Sequence, residues 1–364
     1  MLPIMFKFFK AQEKPIKNYE DFWDWFRTNE NSFFEVLKKD GNVERDFTNK
    51  IFPKLSQLRD GFFFLAGMID NRVAELVLTV DGVVKHIPFI EDLVQKAPNL
   101  DNWNFTALKP ALDIENVKIN IGGYEFNSQN LSFYPIESNL CPDEIDIVIA
   151  HEDLTDDNKS VITNGIGLFL DCFLGELNFA VSIDNLTVIS SEDAKHERIP
   201  IQKLKDYLIW REKEFVEKYD AVYYNSGDDR YSGLQAEMQN GNPMLAVINN
   251  DLLEWNQKPS HPWILDIDIS YDGSHNKGLP DNETYKKLDE LENELMLALK
   301  DSDGYLNIGR QTADNHRNIY FACKGFRNSS KVTDGILEKY RSEFDGDYEL
   351  YKDKYWRFFN RFVS

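Results

Sequence analysis

Four residues near position 270 have the types and the spacing that could bind a hard cation or a basic surface. Asp266 and Asp268 alternate with apolar residues in the segment Trp263–Ser270, so a strand would place both carboxylates on one face. Asp272 and His275 follow in a loop that could bring them near that face. Carboxylate oxygens suit hard cations, but the spacing lacks the ordered loop of a calcium motif. We therefore predict a solvated or partner-binding surface at these four residues, and no metal.

A second set of chemically capable residues lies in the apolar segment Val161–Leu177, which has helical spacing. Asp171 and Glu176, flanked by Phe and Leu, would have raised pKa values that suit acid-base chemistry. Five residues apart on a helix, however, they project away from each other. Cys172 has no sequence neighbour that would lower its pKa and make it a nucleophile. The sequence favours a capping or exposed role for one of the two carboxylates and an ion pair for the other.

Familiar catalytic and cofactor motifs are missing from the sequence. It contains no Walker A loop, no His-Glu-x-x-His, no Gly-x-Ser-x-Gly and no complete Gly-x-Gly-x-x-Gly. Asn164–Gly167 has only a lone Gly-x-Gly, which we interpret as a tight helix entry. The six histidines are scattered, and none lies three or four residues from another, so no single helix presents a two-histidine metal face. We predict no catalytic residue, no cofactor and no metal.

The charge balance restricts the classes of partner. The 62 Asp and Glu against 41 Lys and Arg give a net charge of −21, which repels phosphate backbones and anionic lipid headgroups. Lys352, Lys354, Arg357 and Arg361 come closest to a basic patch, but they alternate with acidic and aromatic residues, which predicts a solvated face. We expect no nucleic-acid and no membrane partner, and a basic protein as the favoured partner class.

The sequence also indicates a compartment. The three cysteines lie far apart with no Cys-x-x-Cys, as is usual for thiols in a reducing environment. The apolar N-terminus is broken by Lys7 and Lys10, which is a poor fit to a signal peptide. The longest apolar run, Gly61–Ile69, is about half as long as a membrane span. We therefore expect a cytoplasmic protein.

Hydrophobic periodicity predicts an α+β protein of two domains, 1–195 and 200–364, separated by the polar stretch Ser190–Pro200. In the first domain the pattern predicts a hairpin over 62–80, the helix 161–177 and alternation over 179–189. In the second it predicts a strand at 221–224 and a helix at 231–238. The C-terminal order β-α-β-β-α-β is the split βαβ, or ferredoxin-like, arrangement, with an antiparallel sheet and helices on one face. Its strands and helices are predicted at 263–270, 280–298, 305–310, 318–323, 332–340 and 348–351.

Several short segments after about Tyr219 resemble the bacterial domain-of-unknown-function family 695. The segments that carry the resemblance are Pro262–Ile267, Lys277–Pro280, Leu288–Glu292, Ile308–Thr312 and Arg317–Phe321. The family is in turn distantly similar in fold to the regulator B of ribonuclease E activity, an acidic protein inhibitor with a ferredoxin-like fold. This resemblance implies a binding role by analogy and implies no catalytic activity.

Three functions stay open on the sequence. The leading hypothesis is a non-enzymatic binding or regulatory protein that uses an acidic sheet face, or an exposed edge strand, against a basic partner protein. The alternative is a hydrolase or other small-molecule enzyme whose site lies between the domains, where Asp, Glu and His side chains would converge. A third is an immunity-type protein that neutralises a toxin through the same acidic character. The sequence leaves the oligomeric state open.

Overall fold

The computed structural model describes residues 14–39 and 41–363. The chain divides into two compact units. Unit 1 comprises the described residues up to Asp81 together with Ile90–Leu108, and unit 2 comprises Gly82–Phe89 and the chain from Lys109 onward. The domain boundary predicted between residues 195 and 200 lies inside unit 2 and stays a prediction.

Unit 1 has a three-stranded sheet with the order β1-β2-β3, in which β1 and β2 form the predicted antiparallel hairpin and β3 pairs parallel to β2. The hairpin turns at Asp70, whose carboxylate accepts hydrogen bonds from the backbone N–H groups of Arg72 and Val73. Phe26 on α1 packs edge-on against Trp103 on β3, so aromatic rings fill this core. The elements are α1 (Tyr19–Lys38), α2 (Asn49–Leu58), β1 (Phe63–Met68), β2 (Ala74–Thr79), α3 (Ile87–Gln95, in unit 1 from Ile90) and β3 (Trp103–Ala107).

The first part of unit 2 contains a four-stranded mixed sheet with the order β8-β7-β6-β9 and a separate β4-β5 hairpin. The apolar face of α4 packs with strands β6 and β7 in one core. The elements are β4 (Ile119–Ile121), β5 (Tyr124–Phe126), β6 (Leu131–Ile136), β7 (Asp146–His151), α4 (Lys159–Leu174), α5 (Glu176–Ser182), β8 (Asn185–Ser190), β9 (Ile199–Pro200) and α6 (Leu204–Tyr219).

Gly175 breaks the helix that was predicted to run to Leu177. It has a φ of +79°, and a Cβ atom there would lie 2.8 Å from the backbone nitrogen of Ala111. Only glycine therefore fits where the chain leaves α4 and enters α5. The alternation predicted over 179–189 is correct only for its second half, because residues up to Ser182 are helical and β8 begins at Asn185.

The second part of unit 2 is built on a six-stranded antiparallel sheet with the order β10-β11-β13-β14-β12-β15. The α+β class, the antiparallel C-terminal sheet and the order β-α-β-β-α-β from β12 to β15 are confirmed. The sheet is larger than predicted because β10 and β11 extend it, and the ferredoxin-like assignment stays a prediction. The elements are β10 (Tyr231–Glu237), β11 (Pro243–Asn249), α7 (Asn250–Glu254), β12 (Trp263–Ser270), α8 (Asn282–Ala298), β13 (Tyr305–Ala313), β14 (His316–Cys323), α9 (Arg327–Tyr340) and β15 (Asp345–Lys352).

Two predictions in this region are wrong. Tyr231–Glu237 is the edge strand β10 and not a helix, since every residue of it pairs with β11. That pairing overrides the local helix preference of its Leu-Gln-Ala-Glu segment. Residues 222–225 adopt no regular structure, so no strand forms at 221–224.

The C-terminal sheet has two different faces. Helices α8 and α9 contact each other and lie on the face that carries Arg317 and Trp263, which contact Asp289 and Phe326 respectively. On the opposite face, Trp356 and Phe359 from the C-terminal turn cover the end of the sheet around Ile264. Along β12 and β15, the rest of that opposite face is polar.

Within the described part of the chain, no single helix is long and apolar enough to cross a bilayer. The helical stretches Asp156–Leu174 and Glu176–Ser182, bent by 113° at their junction, meet the length and composition criteria only as a pair.

Candidate functional site

The polar face of the C-terminal sheet concentrates carboxylates on two neighbouring strands. The antiparallel register sets Asp266 opposite Glu349 and Asp268 opposite Asp347, and Asp345 lies one pair further along, opposite Ser270. Alternate residues of a strand share a face, so these five side chains project from the same side of β12 and β15. We call this set of five the acidic face.

Like charges directly opposite each other across an antiparallel pair are destabilising. Burial raises the pKa of Asp266 above its ordinary value, and the neighbouring carboxylates Asp268 and Glu349 raise it further. The side-chain amide of Asn318 on β14 donates a 2.9 Å hydrogen bond to Asp266 and acts in the opposite direction. The repulsion within the acidic face is therefore only partly offset by its surroundings.

One lysine and one histidine contact carboxylates of the acidic face. Lys85 Nζ lies 2.9 Å from Asp347 Oδ1, and His316 Nδ1 lies 2.9 Å from Asp268 Oδ1. Burial works to raise the pKa of Asp347, but the hydrogen bonds from Lys85 and from the backbone N–H of Tyr348, together with the nearby positive charges, outweigh it and the pKa is lowered. Even with these partners, Asp268 and Asp347 are 46% and 77% exposed, so the face presents excess negative charge to solvent.

The sequence identified two of the five residues of the acidic face. Asp266 and Asp268 share a strand face as predicted, whereas Asp272 and His275 lie exposed in the loop beyond β12. There the Ser274 hydroxyl and N–H donate to the Asp272 carboxylate and lower its pKa. Among residues 14–39 and 41–363, no group of three or more His, Cys, Asp or Glu side chains is arranged to hold a metal ion.

The three carboxylates of β15 were missed. The alternation Asp345-Gly-Asp347-Tyr-Glu349 is a two-residue period in the sequence and could have indicated them. Nothing in the sequence, however, shows that β15 pairs with β12, more than 70 residues earlier.

Replacement of Asp266 by asparagine is expected to stabilise the free protein. A carboxyl whose pKa is raised by folding destabilises the fold as pH rises from the ordinary value of 3.8 through the raised value. Asparagine removes this loss and can keep the contact with Asn318, so the free energy of unfolding at pH 7 should rise by up to about 1 kcal/mol. Urea titrations at pH 4 and pH 7 measure the effect. Asp272→Asn is the control, and it should lower the free energy of unfolding at pH 7, because folding lowers the pKa of Asp272.

Asp171, Cys172 and Glu176, which the sequence analysis considered for catalysis, have structural roles on α4 and just after it. The buried carboxylate of Glu176 accepts hydrogen bonds from the backbone N–H groups of Gly82 and Lys109, each at 3.0 Å. Asp171 forms a 2.8 Å ion pair with Lys109 Nζ, and burial raises the pKa of the Cys172 thiol. Asp171 is ion-paired, as the sequence favoured for one of the two carboxylates, whereas Glu176 is buried instead of capping a helix or being exposed. The thiol environment opposes a thiolate nucleophile.

The lone Gly-x-Gly also has a packing role. A Cβ atom at Gly165 would lie 2.1 Å from the ring of Phe126, so glycine lets α4 approach β5 closely. The motif lies inside α4, away from any helix entry. The predicted helix entry at Asn164–Gly167 is therefore wrong, because α4 begins at Lys159.

A buried ion network joins α8 to the sheet. Arg317 is fully buried, and its Nη1 lies 2.8 Å from Asp289 Oδ1 and 3.4 Å from Glu292 Oε2. Arg310 Nη1 lies 2.8 Å from the same Glu292 oxygen, and the Arg317 guanidinium stacks 4.9 Å from the Tyr285 ring. Burial raises the pKa of Glu292, and both guanidiniums act against this. All but Tyr285 come from the segments that carry the family resemblance, and they hold α8 in place.

Residues 236–364 match the model of a protein family described as "Family of unknown function (DUF695)". This match confirms the resemblance predicted for the C-terminal part of the chain. It begins within β10 and covers the acidic face and the Arg317 network. The distant similarity to the regulator of ribonuclease E activity stays a prediction. A search of curated proteins finds no match to the chain.

Proposed function

We propose that the C-terminal part of this chain is a non-enzymatic protein-binding module whose acidic face docks on a basic surface of a partner protein. The observation that carries the proposal is the register between β12 and β15, which sets two pairs of carboxylates directly opposite each other. A sheet face of this kind is less stable alone than one with alternating charges. Lysine or arginine side chains of a partner would relieve the repulsion.

The geometry of the acidic face defines what such a partner must present. Carboxylates two residues apart along a strand are spaced by about 6.5–7 Å, and neighbouring strands lie about 5 Å apart. A flat surface with basic side chains at alternate positions of an extended segment matches this grid. The net charge of −21 adds long-range attraction, which accelerates encounter with a basic partner.

The proposal places the protein in the cytoplasm, as expected from its cysteines. Cys141, Cys172 and Cys323 are all free thiols in the structure. This is the usual state of cysteine in a reducing compartment.

Binding of an extended peptide with lysine at alternate positions tests the proposal. We expect the triple variant Asp268→Asn, Asp347→Asn and Glu349→Gln to bind the peptide about 10-fold more weakly than the unaltered protein. This magnitude assumes about 0.5 kcal/mol for each exposed charge pair. Isothermal titration calorimetry at low ionic strength gives the two dissociation constants.

A matched control separates the acidic face from overall charge. Glu152→Gln, Asp156→Asn and Asp157→Asn remove the same three charges from an exposed segment after β7. This variant should bind the peptide nearly as well as the unaltered protein. Equal weakening of both triple variants would contradict a specific role for the acidic face.

A further inference from the structure

A cavity of about 600 Å³ lies at one end of the C-terminal sheet. In contrast to the acidic face, basic side chains outnumber carboxylates in its lining. It is formed where β12 begins, where β14 and β15 end and where α9 starts, and α5 and α6 contribute to its wall. Its volume falls within the range of small-molecule binding sites, about 300–1,000 Å³. Residues from both sides of the predicted 195–200 boundary line the cavity, which is where the alternative enzyme hypothesis places a site. The cavity lining contains no histidine, however, and it has more basic side chains than carboxylates.

Four basic side chains line this cavity: Lys324, Arg327, Lys352 and Lys354. The lining includes two carboxylates, Glu212 and Asp220. A third carboxylate, Asp184, pairs with both Lys352 and Lys354, so four cations face three carboxylates, which leaves a small local inversion of sign on a chain whose net charge is −21. Such an inversion attracts anions small enough to enter without meeting the negative surface elsewhere.

The lysine side chains are held in place by protein acceptors. Lys352 Nζ donates to the Val181 carbonyl at 2.7 Å and pairs with Asp184 at 3.0 Å, and Lys354 Nζ pairs with Asp184 at 2.7 Å. Lys324 Nζ donates to the Val222 carbonyl at 2.6 Å. A fixed ammonium loses little conformational freedom when it binds an anion, so these contacts preorganise the site.

Aromatic rings form another part of the lining. Trp263 packs edge-on against Phe326 with ring centroids 5.0 Å apart, and Phe215 and Tyr305 also line the cavity. Lys352 Nζ lies 5.9 Å from the Trp263 ring, so charge and aromatic surface adjoin. A ligand with one anionic end and one flat end would match both parts.

The first turn of α9 supports the anionic end. α9 begins at Arg327 immediately after Gly325 and Phe326, which line the cavity, and its N-cap makes no side-chain capping hydrogen bond. A Cβ atom at Gly325 would meet nothing within 4 Å, so the backbone is open here. Backbone N–H groups at a helix start add to the attraction that the lysines exert on an anion.

We propose that this cavity binds a small phosphate ester with a flat ring. The phosphate would lie among Lys324, Lys352 and Lys354 beside the start of α9, and the ring would lie against the Trp263 and Phe326 wall. A nucleic acid fits less well, because its further phosphates would face the acidic remainder of the chain. The proposal is independent of the acidic face.

Titration calorimetry with adenosine 5′-monophosphate and uridine 5′-monophosphate, each against its uncharged nucleoside, tests the proposal on the unaltered protein. We expect at least one nucleotide to bind at least 10-fold more tightly than its nucleoside. Equal binding of nucleotide and nucleoside, or no binding of either nucleotide at millimolar concentration, would overturn it.

A pair of double variants then locates the site. Lys324→Gln with Arg327→Gln should weaken nucleotide binding at least 10-fold, because both side chains line the cavity. Lys331→Gln with Arg341→Gln removes the same charge from within and just after α9, outside that lining, and should leave the affinity unchanged. Equal affinities in the two double variants would place the bound nucleotide elsewhere and reject the proposed site.

Discussion

Replacing Arg317 by methionine is expected to lower the free energy of unfolding by about 3–5 kcal/mol. The arginine side chain is 1% exposed and pairs with Asp289 and with Glu292, which is itself 8% exposed. Methionine fills part of the volume but leaves the Glu292 carboxylate buried with Arg310 as its nearest remaining cation. A buried charge that loses a partner is costly because water cannot replace the lost contact. Urea titration measures the change.

Two companions make this prediction specific. Arg341→Met removes an arginine that is 76% exposed and paired only at the surface with Glu338, and it should change stability by less than about 0.5 kcal/mol. The double variant Arg317→Met with Glu292→Gln should recover part of the loss, since it also removes the buried carboxylate charge. A loss below about 1 kcal/mol for Arg317→Met would show that the network does not hold α8 to the sheet.

Replacing Asp184 by alanine is expected to have a similarly large effect, again about 3–5 kcal/mol. Its carboxylate, 7% exposed, lies 3.0 Å from Lys352 Nζ and 2.7 Å from Lys354 Nζ, and it accepts the backbone N–H of Ile145 at 2.7 Å. Lys354 is 2% exposed, so alanine at 184 leaves a buried ammonium without its carboxylate. The contact joins β15 and the residues after it to the sheet that contains β7 and β8.

The pH dependence of the Asp184→Ala variant provides a second readout. Burial lowers the pKa of Lys354, the positive charge of Lys352 lowers it further, and Asp184 acts to raise it. Without Asp184 the native pKa falls further below the unfolded value, so the unfolded state binds more protons and stability rises with pH in that window. The loss should therefore shrink as pH increases from 7 towards about 10. Asp184→Leu with Lys354→Met should recover much of the stability at pH 7, and no recovery would contradict the ion-pair account.

The local sequence pattern predicted most C-terminal strands and helices, but it did not predict which strands pair with each other. The alternation of Trp263–Ser270 predicted β12 with its two carboxylates on one face, because a strand periodicity is a property of neighbouring residues. The acidic face also needs the register of β12 with β15, which joins residues more than 70 positions apart. The helix prediction at Tyr231–Met238 was wrong for the same reason, since its pairing with β11 decides its state.

The C-terminal lysines show that burial of a charged side chain cannot be predicted from its sequence neighbours alone. Mixed charges around Lys352, Lys354, Arg357 and Arg361 predicted a solvated face, and this is wrong for Lys354, whose side chain is buried. Its partner Asp184 lies 170 residues earlier in the chain, so nothing next to Lys354 in the sequence indicates that the ammonium is neutralised. The cationic cavity was missed because it depends on the same long-range contacts.

The salt dependence of association tests the acidic face most directly. The rate constant for binding of the alternating-lysine peptide should fall as ionic strength rises, because surface charges are screened beyond about 10 Å at 0.1 M salt. We predict that the variant Asp268→Asn, Asp347→Asn and Glu349→Gln loses most of this dependence, whereas Glu152→Gln, Asp156→Asn and Asp157→Asn keeps it. An unchanged salt dependence in the first variant would contradict the acidic face as the binding surface.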